Sequence, residues 1–372
     1  MLKLVLGASG SGKTTLLYAR IRARAEAGKR SILLVPEQFT SSTEARIYRE
    51  LGDALSGMVE SYSFTSLAEH ILAIEGGAAV QTLTDAGRAV LVRRALEELQ
   101  DNVHYYYRHR RSAAFCQMAA ETIDELKSAG LSGQQLQELA RDCGTESAKL
   151  GELALIFQGY ESLLAGTGMD PADRLELAAD RLEAALARDE LPDFLREREV
   201  FIDEFDTFNA PKKRLMGAML AALPAVTVAL CEDGAPMQPG DLELFSGAKQ
   251  VAAQLRQLAR KNGAQVAAPE LLRRDLRHKD ATGLAALTEL LETGSCTPPE
   301  SAPELRLFAA ASREEEARCA AAAIRRLMRQ GVRCGKIAVV CRDIAGYRAA
   351  IRYEFRMADI PLYCDEPTTP EF

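Results

Sequence analysis

The sequence predicts an α/β fold built on a parallel sheet, with an all-helical insertion and the start of a second α/β domain. Three observations carry this prediction. Short apolar runs at 4–6 and 31–35 flank a loop and a helical stretch, the order of a parallel sheet with crossover helices. The pattern from 83 to 187 is almost wholly helical. Strand-like runs return at 199–203 and 225–230, and again at 305–308 and 336–340.

These shifts divide the chain into four predicted regions. Residues 1–82 and 191–300 form the two parts of the first α/β domain, and residues 83–190 form the helical insertion. Residues 301–372 begin a second domain, with helices expected at 313–330 and 346–357. Two or three strands do not make a covered parallel sheet, so we expect the remainder of that domain to be missing from this sequence.

Composition narrows the possible classes of protein. The chain has 372 residues, 47% hydrophobic and 27% charged, as in globular proteins that bury sizeable cores. The formal net charge of −7 argues against a polybasic nucleic-acid coat but not against a local basic patch. No apolar run approaches the roughly 18 residues that cross a bilayer, and the first residues suit a buried strand better than a secretory signal. We therefore expect a cytoplasmic protein with no membrane partner.

The cysteines indicate the same compartment. There are eight, no two of them spaced as C-x-x-C, and the chain has only four histidines, which disfavours a zinc ribbon or finger. Scattered cysteines in a chain without a signal peptide are typical of reduced, mostly buried thiols in the cytoplasm.

The segment Gly7–Thr14, here called the glycine loop, carries the most specific motif. It matches G-x-x-x-x-G-K-[ST] between a predicted strand and a predicted helix, which is the context of a phosphate-binding loop. Lys13 would reach the β and γ phosphates of ATP, and the Thr14 hydroxyl would ligate Mg²⁺. The alternative is a glycine-rich turn with a surface lysine. The predicted nucleotide-binding residues are Gly7, Gly10, Ser11, Gly12, Lys13, Thr14 and Thr15.

Three further residues are candidates for catalysis. Asp203, at the end of a predicted strand, could hold Mg²⁺ through water, and Glu204 could polarise an attacking water as a general base. The alternative is an ordinary acidic strand exit. Arg342 follows the run at 336–340 closely and is a candidate arginine finger for a γ phosphate. The alternative there is a solvated arginine at a strand end.

Two basic segments are candidates for contact with nucleic acid. Residues 104–111 interleave aromatic and basic side chains, and the candidate DNA-binding residues in this segment are Tyr106, Arg108, Arg110 and Arg111. We favour the alternative, in which the tyrosines pack in a core and the arginines are solvated. Residues 271–279 form a second basic run, which we interpret as a solvated helix face.

These motifs occur in a recognisable order. The glycine loop, the segment 34–40 (Leu-Val-Pro-Glu-Gln-Phe-Thr) and the segment 59–67 together resemble the amino-terminal part of the AddB family, the B subunits of bacterial AddAB helicase–nucleases. Residues 121–130, and 149–160 followed by Asp170 and Asp173, resemble the same family. Residues 313–361 resemble the entry to the second motor domain of UvrD-like superfamily 1 helicases, which implies RecA-like domains.

The resemblance implies a role in double-strand-break repair by homologous recombination. In that family the A subunit is the motor helicase and the partner of the B subunit. The B subunit contributes to recognition of the Chi regulatory sequence and carries a nuclease domain with an iron–sulfur cluster at its far end. Family members are about three times as long as this chain. The cluster is therefore expected beyond Phe372, and the family implies an ATP- and DNA-binding amino-terminal region.

The sequence also departs from helicase motors. Only six residues precede Gly7, so the adenine-reading glutamine segment of UvrD-type helicases is absent. After Leu230 the sequence lacks the glycine-aspartate-glutamine pattern that couples hydrolysis to DNA movement. Conversely, residues 203–206 resemble a competent helicase motif. Two alternatives therefore stay open beside nucleotide and DNA binding: an active DNA-dependent ATPase motor of the UvrD type, and a non-motor, Chi-scanning structural subunit.

Overall fold

The structure is a computed structural model that describes residues 1–77, 81–165, 167–236 and 244–364. The chain divides into two compact units, Met1–Asp280 and Ala281–Phe372, and each is described by itself. This division falls 20 residues before the boundary that we predict at 300/301. Residues 365–372 of the predicted last region lie outside the described residues. In the described ranges, no helix combines the length and the apolar character needed to cross a membrane.

Six strands of the first unit form one sheet in the order β3-β2-β4-β5-β1-β6, and neighbouring strands pair in parallel. The strands are β1 (Leu2–Gly7), β2 (Ser31–Leu34), β3 (Val59–Tyr62), β4 (Glu199–Ile202), β5 (Ala225–Cys231) and β6 (Glu270–Leu272). The predicted α/β class with a parallel sheet is confirmed. Because β5 alone lies between β1 and β4, the carboxyl ends of β1 and β4 are about 10 Å apart on the same edge of the sheet.

The helices of the first unit cover both faces of this sheet, so its central strands are mostly apolar, and Glu199 of β4 is paired with Lys3 of β1 and Thr227 of β5. The helices are α1 (Lys13–Glu26), α2 (Thr40–Leu51), α3 (Asp53–Ser56), α4 (Phe64–Glu75), α5 (Asp85–Glu98), α6 (Ala113–Ser128), α7 (Gly133–Ala140), α8 (Ser147–Leu164), α9 (Pro171–Ala187), α10 (Ala210–Ala222) and α11 (Ser246–Lys261). Helices α1 and α2 pack on one face, where Leu17 and Ile47 join Phe201 of β4. Helices α4, α9, α10 and α11 contribute to the core on the other face.

Helices α5 to α8 form a separate core around Val92, Ile123 and Phe157. The last helix of the predicted insertion is different. Leu175 and Leu182 of α9 lie in the core of the α/β sheet, and α9 packs against α4 and α10. The helical segment therefore contains a four-helix body, and its final helix belongs to the layer that covers the sheet.

A buried ion network joins α6 and α8 to the start of α9. The Lys127 ammonium donates to Asp170 (2.8 Å) and Asp173 (2.9 Å), and the Tyr160 hydroxyl donates to the other oxygen of Asp170 (2.7 Å). Burial opposes the charge on Lys127, but the hydrogen bonds to both carboxylates outweigh it and raise the pKa of the ammonium above its usual range. The network therefore fixes the four-helix body against the sheet-covering layer.

The second unit contains α12 (Thr282–Thr293), α13 (Arg313–Arg329) and α14 (Ile344–Met357). Helices α13 and α14 pack together through Ile324 and Phe355, with Ile360 beside them. The strands predicted at 305–308 and 336–340 are wrong, since neither segment forms a strand. Leu307 is 99% exposed and Val340 is 91% exposed. The physical reason is that a strand is held by hydrogen bonds to a neighbour, and the described part of this unit offers no partner strand.

Candidate functional site

The glycine loop joins the buried strand β1 to α1 in a conformation that needs glycine. Gly10 and Gly12 have φ of 84° and 93°, in the left-handed region that other residues adopt only with strain. A Cβ on Gly10 would lie 2.9 Å from the Cβ of Arg277, and a Cβ on Gly12 would lie 3.1 Å from Leu276. The loop backbone therefore lies so close to residues 275–277 that a side chain at Gly10 would clash with them.

The first turn of α1 follows this loop directly, and the N-terminus of a helix directs its backbone N–H groups outward. Gly12 is the N-cap and offers no side-chain acceptor. The Lys13 ammonium folds back over the loop and donates to the carbonyl oxygens of Gly7 (2.6 Å) and Ala8 (2.8 Å). The Ser11 hydroxyl is buried and has no hydrogen-bond partner among the described residues. A helix N-terminus with an adjacent ammonium is a favourable environment for an anion.

The two carboxylates after β4 lie on the same edge of the sheet as the glycine loop. Asp203 is 5% exposed, and its backbone N–H donates to the Leu34 carbonyl (3.1 Å). Glu204 has φ of 65°, which is strained for a residue with a side chain. Its backbone N–H donates to the Asp203 carboxylate (3.0 Å). The sharp turn brings both side chains to one cavity.

An aromatic cluster holds the turn at Asp203 and Glu204, here called the acidic turn, in place. Phe205 and Phe208 are both buried, and their rings pack on each other with centroids 5.4 Å apart. Both also contact the buried ring of Phe64 on α4 edge to face. The strained backbone of Glu204 is therefore flanked by a well-packed anchor, the condition under which strain persists in a folded protein.

The segment after β6 lies over the glycine loop; we call Asp275–His278 the covering segment. The Leu276 N–H donates to the Gly10 carbonyl (3.0 Å), and the Arg277 guanidinium donates to the Ser9 hydroxyl (3.1 Å). The Asp275 carboxylate accepts from the backbone N–H of Arg277 (2.9 Å), so the segment is held in a tight turn. The interpretation of 271–279 as a helix face is wrong. Residues 271–272 belong to the edge strand, and a non-helical segment follows them.

A cavity of about 490 Å³ brings these pieces together. Among the residues predicted to bind nucleotide or to act in catalysis, its wall contains Gly10, Gly12, Lys13, Thr14, Thr15, Asp203 and Glu204. Gly7 and Ser11 belong to the same loop but are not part of the wall. Arg46, Leu276 and Arg277 also line the cavity, and sequence reasoning missed all three.

Arg46 enters the cavity from α2. Its guanidinium lies over the ring of Tyr18, 4.9 Å from the centroid. Partial desolvation raises the pKa of the Glu204 carboxyl, Asp203 raises it further, and Arg46 acts in the opposite direction. Burial raises the pKa of Tyr18 to about 12, so its phenol stays neutral at physiological pH. In the sequence, the only signal for Arg46 is its place in the helix that follows the end of a predicted strand.

Arg342 lies in the second unit, exposed, in a segment that is not a strand. Its predicted role as an arginine finger stays a prediction.

The aromatic and basic segment at 104–111 packs on the core of the four-helix body. The Tyr106 ring stacks on Phe115 (5.6 Å between centroids), and Tyr106 and Tyr107 both contact the core. The Arg110 guanidinium lies over the face of the Tyr107 ring at 3.8 Å. Arg108 and Arg111 are exposed. Tyr106 and Tyr107 therefore act in packing, as we favoured, whereas Tyr105 is 51% exposed. Contact of the exposed arginines with DNA stays a prediction.

Comparison with known proteins identifies the family. Residues 4–288 match the family model described as ADDB, N-terminal. The chain belongs to the AddB family. It is 34% identical over 381 residues to the B subunit of the ATP-dependent helicase/deoxyribonuclease of Desulforudis audaxviator (strain MP104C). It is 33% identical over 379 residues to the protein of the same name from Moorella thermoacetica (strain ATCC 39073 / JCM 9320). These alignments cover 98% of this chain and 32% of each relative, so the chain spans about a third of their length.

Proposed function

We propose that the first unit binds ATP with Mg²⁺ in the cavity between the glycine loop and the acidic turn. The observation that carries the proposal is that Lys13, Thr14 and Asp203 line one cavity. The wall of this cavity also includes Gly10 and Gly12 of the glycine loop. The buried, unpartnered Ser11 hydroxyl and the first turn of α1 add donors at the same place. Such donors and an ammonium suit a polyphosphate chain.

We propose that the Thr14 hydroxyl holds Mg²⁺ directly and that the Asp203 carboxylate holds it through water. Within the described part of the chain, no three His, Cys, Asp or Glu side chains cluster as a metal site. A cation here would therefore take most of its ligands from phosphate oxygens and water, as Mg²⁺ commonly does in nucleotide sites. Leu276, 54% exposed at the rim of the cavity, offers an apolar surface for the base.

A calorimetric titration of the 372-residue chain with Mg·ATP tests this proposal. Lys13→Ala removes a charge-assisted contact with the terminal phosphates, and we expect it to abolish most of the affinity. Lys29→Ala is the matched control, because Lys29 is exposed after the far end of the same helix. Equal affinity in the Lys13 variant and the control would refute the phosphate-loop assignment.

For the whole protein, we propose that it is the B component of a helicase–nuclease that acts on DNA in double-strand-break repair by homologous recombination. The support is the family, together with the name of its relatives, which calls them B subunits of an ATP-dependent helicase/deoxyribonuclease. The A subunit would be its partner, the compartment would be the cytoplasm, and the nuclease domain with its iron–sulfur cluster would lie beyond Phe372. Co-purification of the full-length protein with the A subunit, and cleavage of linear duplex DNA by the complex, test this part.

The position of Glu204 favours hydrolysis as well as binding. Its carboxylate lines the cavity beside Asp203, where a general base would be needed. We expect weak turnover from the isolated chain, since Arg342 belongs to the second unit and needs to be held against the γ phosphate to assist. ATP hydrolysis measured with and without single-stranded DNA separates the alternatives. Fast, DNA-stimulated turnover would favour the UvrD-type motor, and binding without turnover would favour the Chi-scanning structural subunit.

A further inference from the structure

Arg46 is held at the nucleotide cavity by the way α2 packs. Thr43, Ile47 and Leu51 are the buried residues of this helix, and the last two join the core on that face of the sheet. Arg46 is half-buried on the neighbouring stripe of the helix. The buried ring of Tyr18 supports its guanidinium at 4.9 Å, which restricts the rotation of a long side chain.

Within the part of the chain that the structure describes, the charge on Arg46 has no close counter-ion. Among the described residues, no carboxylate lies within 4.0 Å of its guanidinium, although Asp203 and Glu204 share the cavity wall with it. A partly buried guanidinium without an ion pair is costly to desolvate. The same position becomes favourable once an anion occupies the space between the arginine and the glycine loop.

The position of Arg46 also indicates which part of a nucleotide it faces. A second cavity of about 190 Å³ is lined by Thr14, Arg46 and Asp203, together with other residues of α1, α2 and β2. Arg46 therefore stands on the side of the proposed Mg²⁺ ligands. Leu276 and Arg277 line only the larger cavity, beside Ser9 and Gly10. Since Mg²⁺ bridges the β and γ phosphates in such sites, the side of Thr14 and Asp203 is the side of the terminal phosphate.

We propose that Arg46 binds the terminal phosphate of a nucleoside triphosphate, so that this unit distinguishes triphosphate from diphosphate with an arginine of its own helix α2. The inference rests on the proposed nucleotide site and adds a recognition group to it. A guanidinium suits this task because its planar set of donors can hold two phosphate oxygens at once. A purely structural Arg46, which only covers the Tyr18 ring, would affect the melting temperature and would leave the preference for triphosphate unchanged.

The test is a pair of calorimetric titrations of the 372-residue chain, with Mg·ATP and with Mg·ADP. For Arg46→Ala we expect the dissociation constant of Mg·ATP to rise at least tenfold and that of Mg·ADP to change less than twofold. Arg46→Lys keeps the charge without the planar donors, so we expect an intermediate loss. Arg22→Ala is the matched control, because Arg22 is an exposed arginine of the neighbouring helix α1 and lines neither cavity. Its ratio of ATP to ADP affinity should equal that of the unmodified chain.

The outcomes separate this inference from the proposed function. If the unmodified chain binds Mg·ATP through Lys13 but Arg46→Ala and Arg46→Lys keep its ATP to ADP ratio, only the role of Arg46 is refuted. If the unmodified chain binds neither nucleotide, the site itself is refuted and Arg46 with it. Thermal melting of each variant without nucleotide shows whether that variant is folded. If Arg46→Ala does not fold, Arg46→Lys still tests the inference.

Discussion

Replacing Gly10 by alanine tests the geometry of the glycine loop most directly. The residue has φ of 84°, so alanine there costs about 1–2 kcal/mol of backbone strain. The new Cβ would lie 2.9 Å from both the Cβ of Arg277 and a carboxylate oxygen of Asp275. Since carbon atoms pack at about 3.5 Å or more, the covering segment would have to move by roughly 0.6 Å. The Leu276–Gly10 hydrogen bond, worth about 1 kcal/mol, would weaken at the same time.

The effect on nucleotide affinity follows from what the added methyl group obstructs. The methyl group meets the covering segment, so relief of the clash displaces the loop backbone that would bind phosphate. Loss of one hydrogen bond to a charged group costs about 1.5–3 kcal/mol. We therefore expect the affinity for Mg·ATP to fall roughly ten- to hundredfold. Calorimetry on the 372-residue chain measures this loss, and thermal melting without nucleotide measures the loss of stability.

Gly28→Ala is the matched control for this prediction. Gly28 has a similar φ of 73°, and a Cβ there would meet nothing within 4 Å. It should show the cost of backbone strain in its melting temperature and bind Mg·ATP like the unmodified chain. If Gly10→Ala also binds like the unmodified chain, the loop does not approach phosphate closely and the reasoning fails.

Three further predictions concern charge. Glu204→Gln should raise the melting temperature slightly at pH 7, because the pKa of Glu204 is raised in the folded state and its ionised form therefore opposes folding. The gain should vanish below pH 4, where the carboxyl is protonated in both the folded and the unfolded state. Lys127→Ala should lower the free energy of unfolding by about 3 kcal/mol or more, since it leaves the buried Asp170 carboxylate without its cation. Lys149→Ala removes a lysine from an exposed pair and should leave the melting temperature unchanged. Arg111→Ala should weaken binding of single-stranded DNA and reduce the salt slope by about 0.7, measured by fluorescence anisotropy; an unchanged slope would return residues 104–111 to an ordinary packing role.

The local elements around the site could be predicted because their signals are local. An apolar run, the glycine motif and a helical stretch follow one another directly, and the structure gives β1, a loop and α1 in that order. Asp203 could be placed because the carboxyl ends of parallel strands meet at one edge. By contrast, Arg46 and Arg277 reach the cavity from segments about 230 residues apart in sequence. A single arginine, or a run of basic residues, carries no local signal of the cavity that it lines.

The two segments of the second unit that were wrongly predicted as strands show what composition alone cannot decide. The runs at 305–308 and 336–340 have the composition of strands, but composition does not supply a partner. In the first unit, β6 is only three residues long, yet it forms because β1 pairs with it. Sequence reasoning missed this strand because a short apolar run beside basic residues resembles a helix face as much as an edge strand. Pairing, and not propensity, decides both cases.

The strained turn at Glu204 connects the binding proposal with hydrolysis. A left-handed conformation costs a non-glycine residue about 1–3 kcal/mol, and here it turns a carboxylate into the cavity beside Asp203. The raised pKa makes that carboxylate a stronger base than an ordinary glutamate. A carboxylate that faced the phosphates only to bind them would repel them, so the place of Glu204 in the cavity favours a role in hydrolysis. Loss of turnover with retained Mg·ATP affinity in Glu204→Gln would therefore assign it to hydrolysis, and equal loss of both would assign it to the structure of the turn.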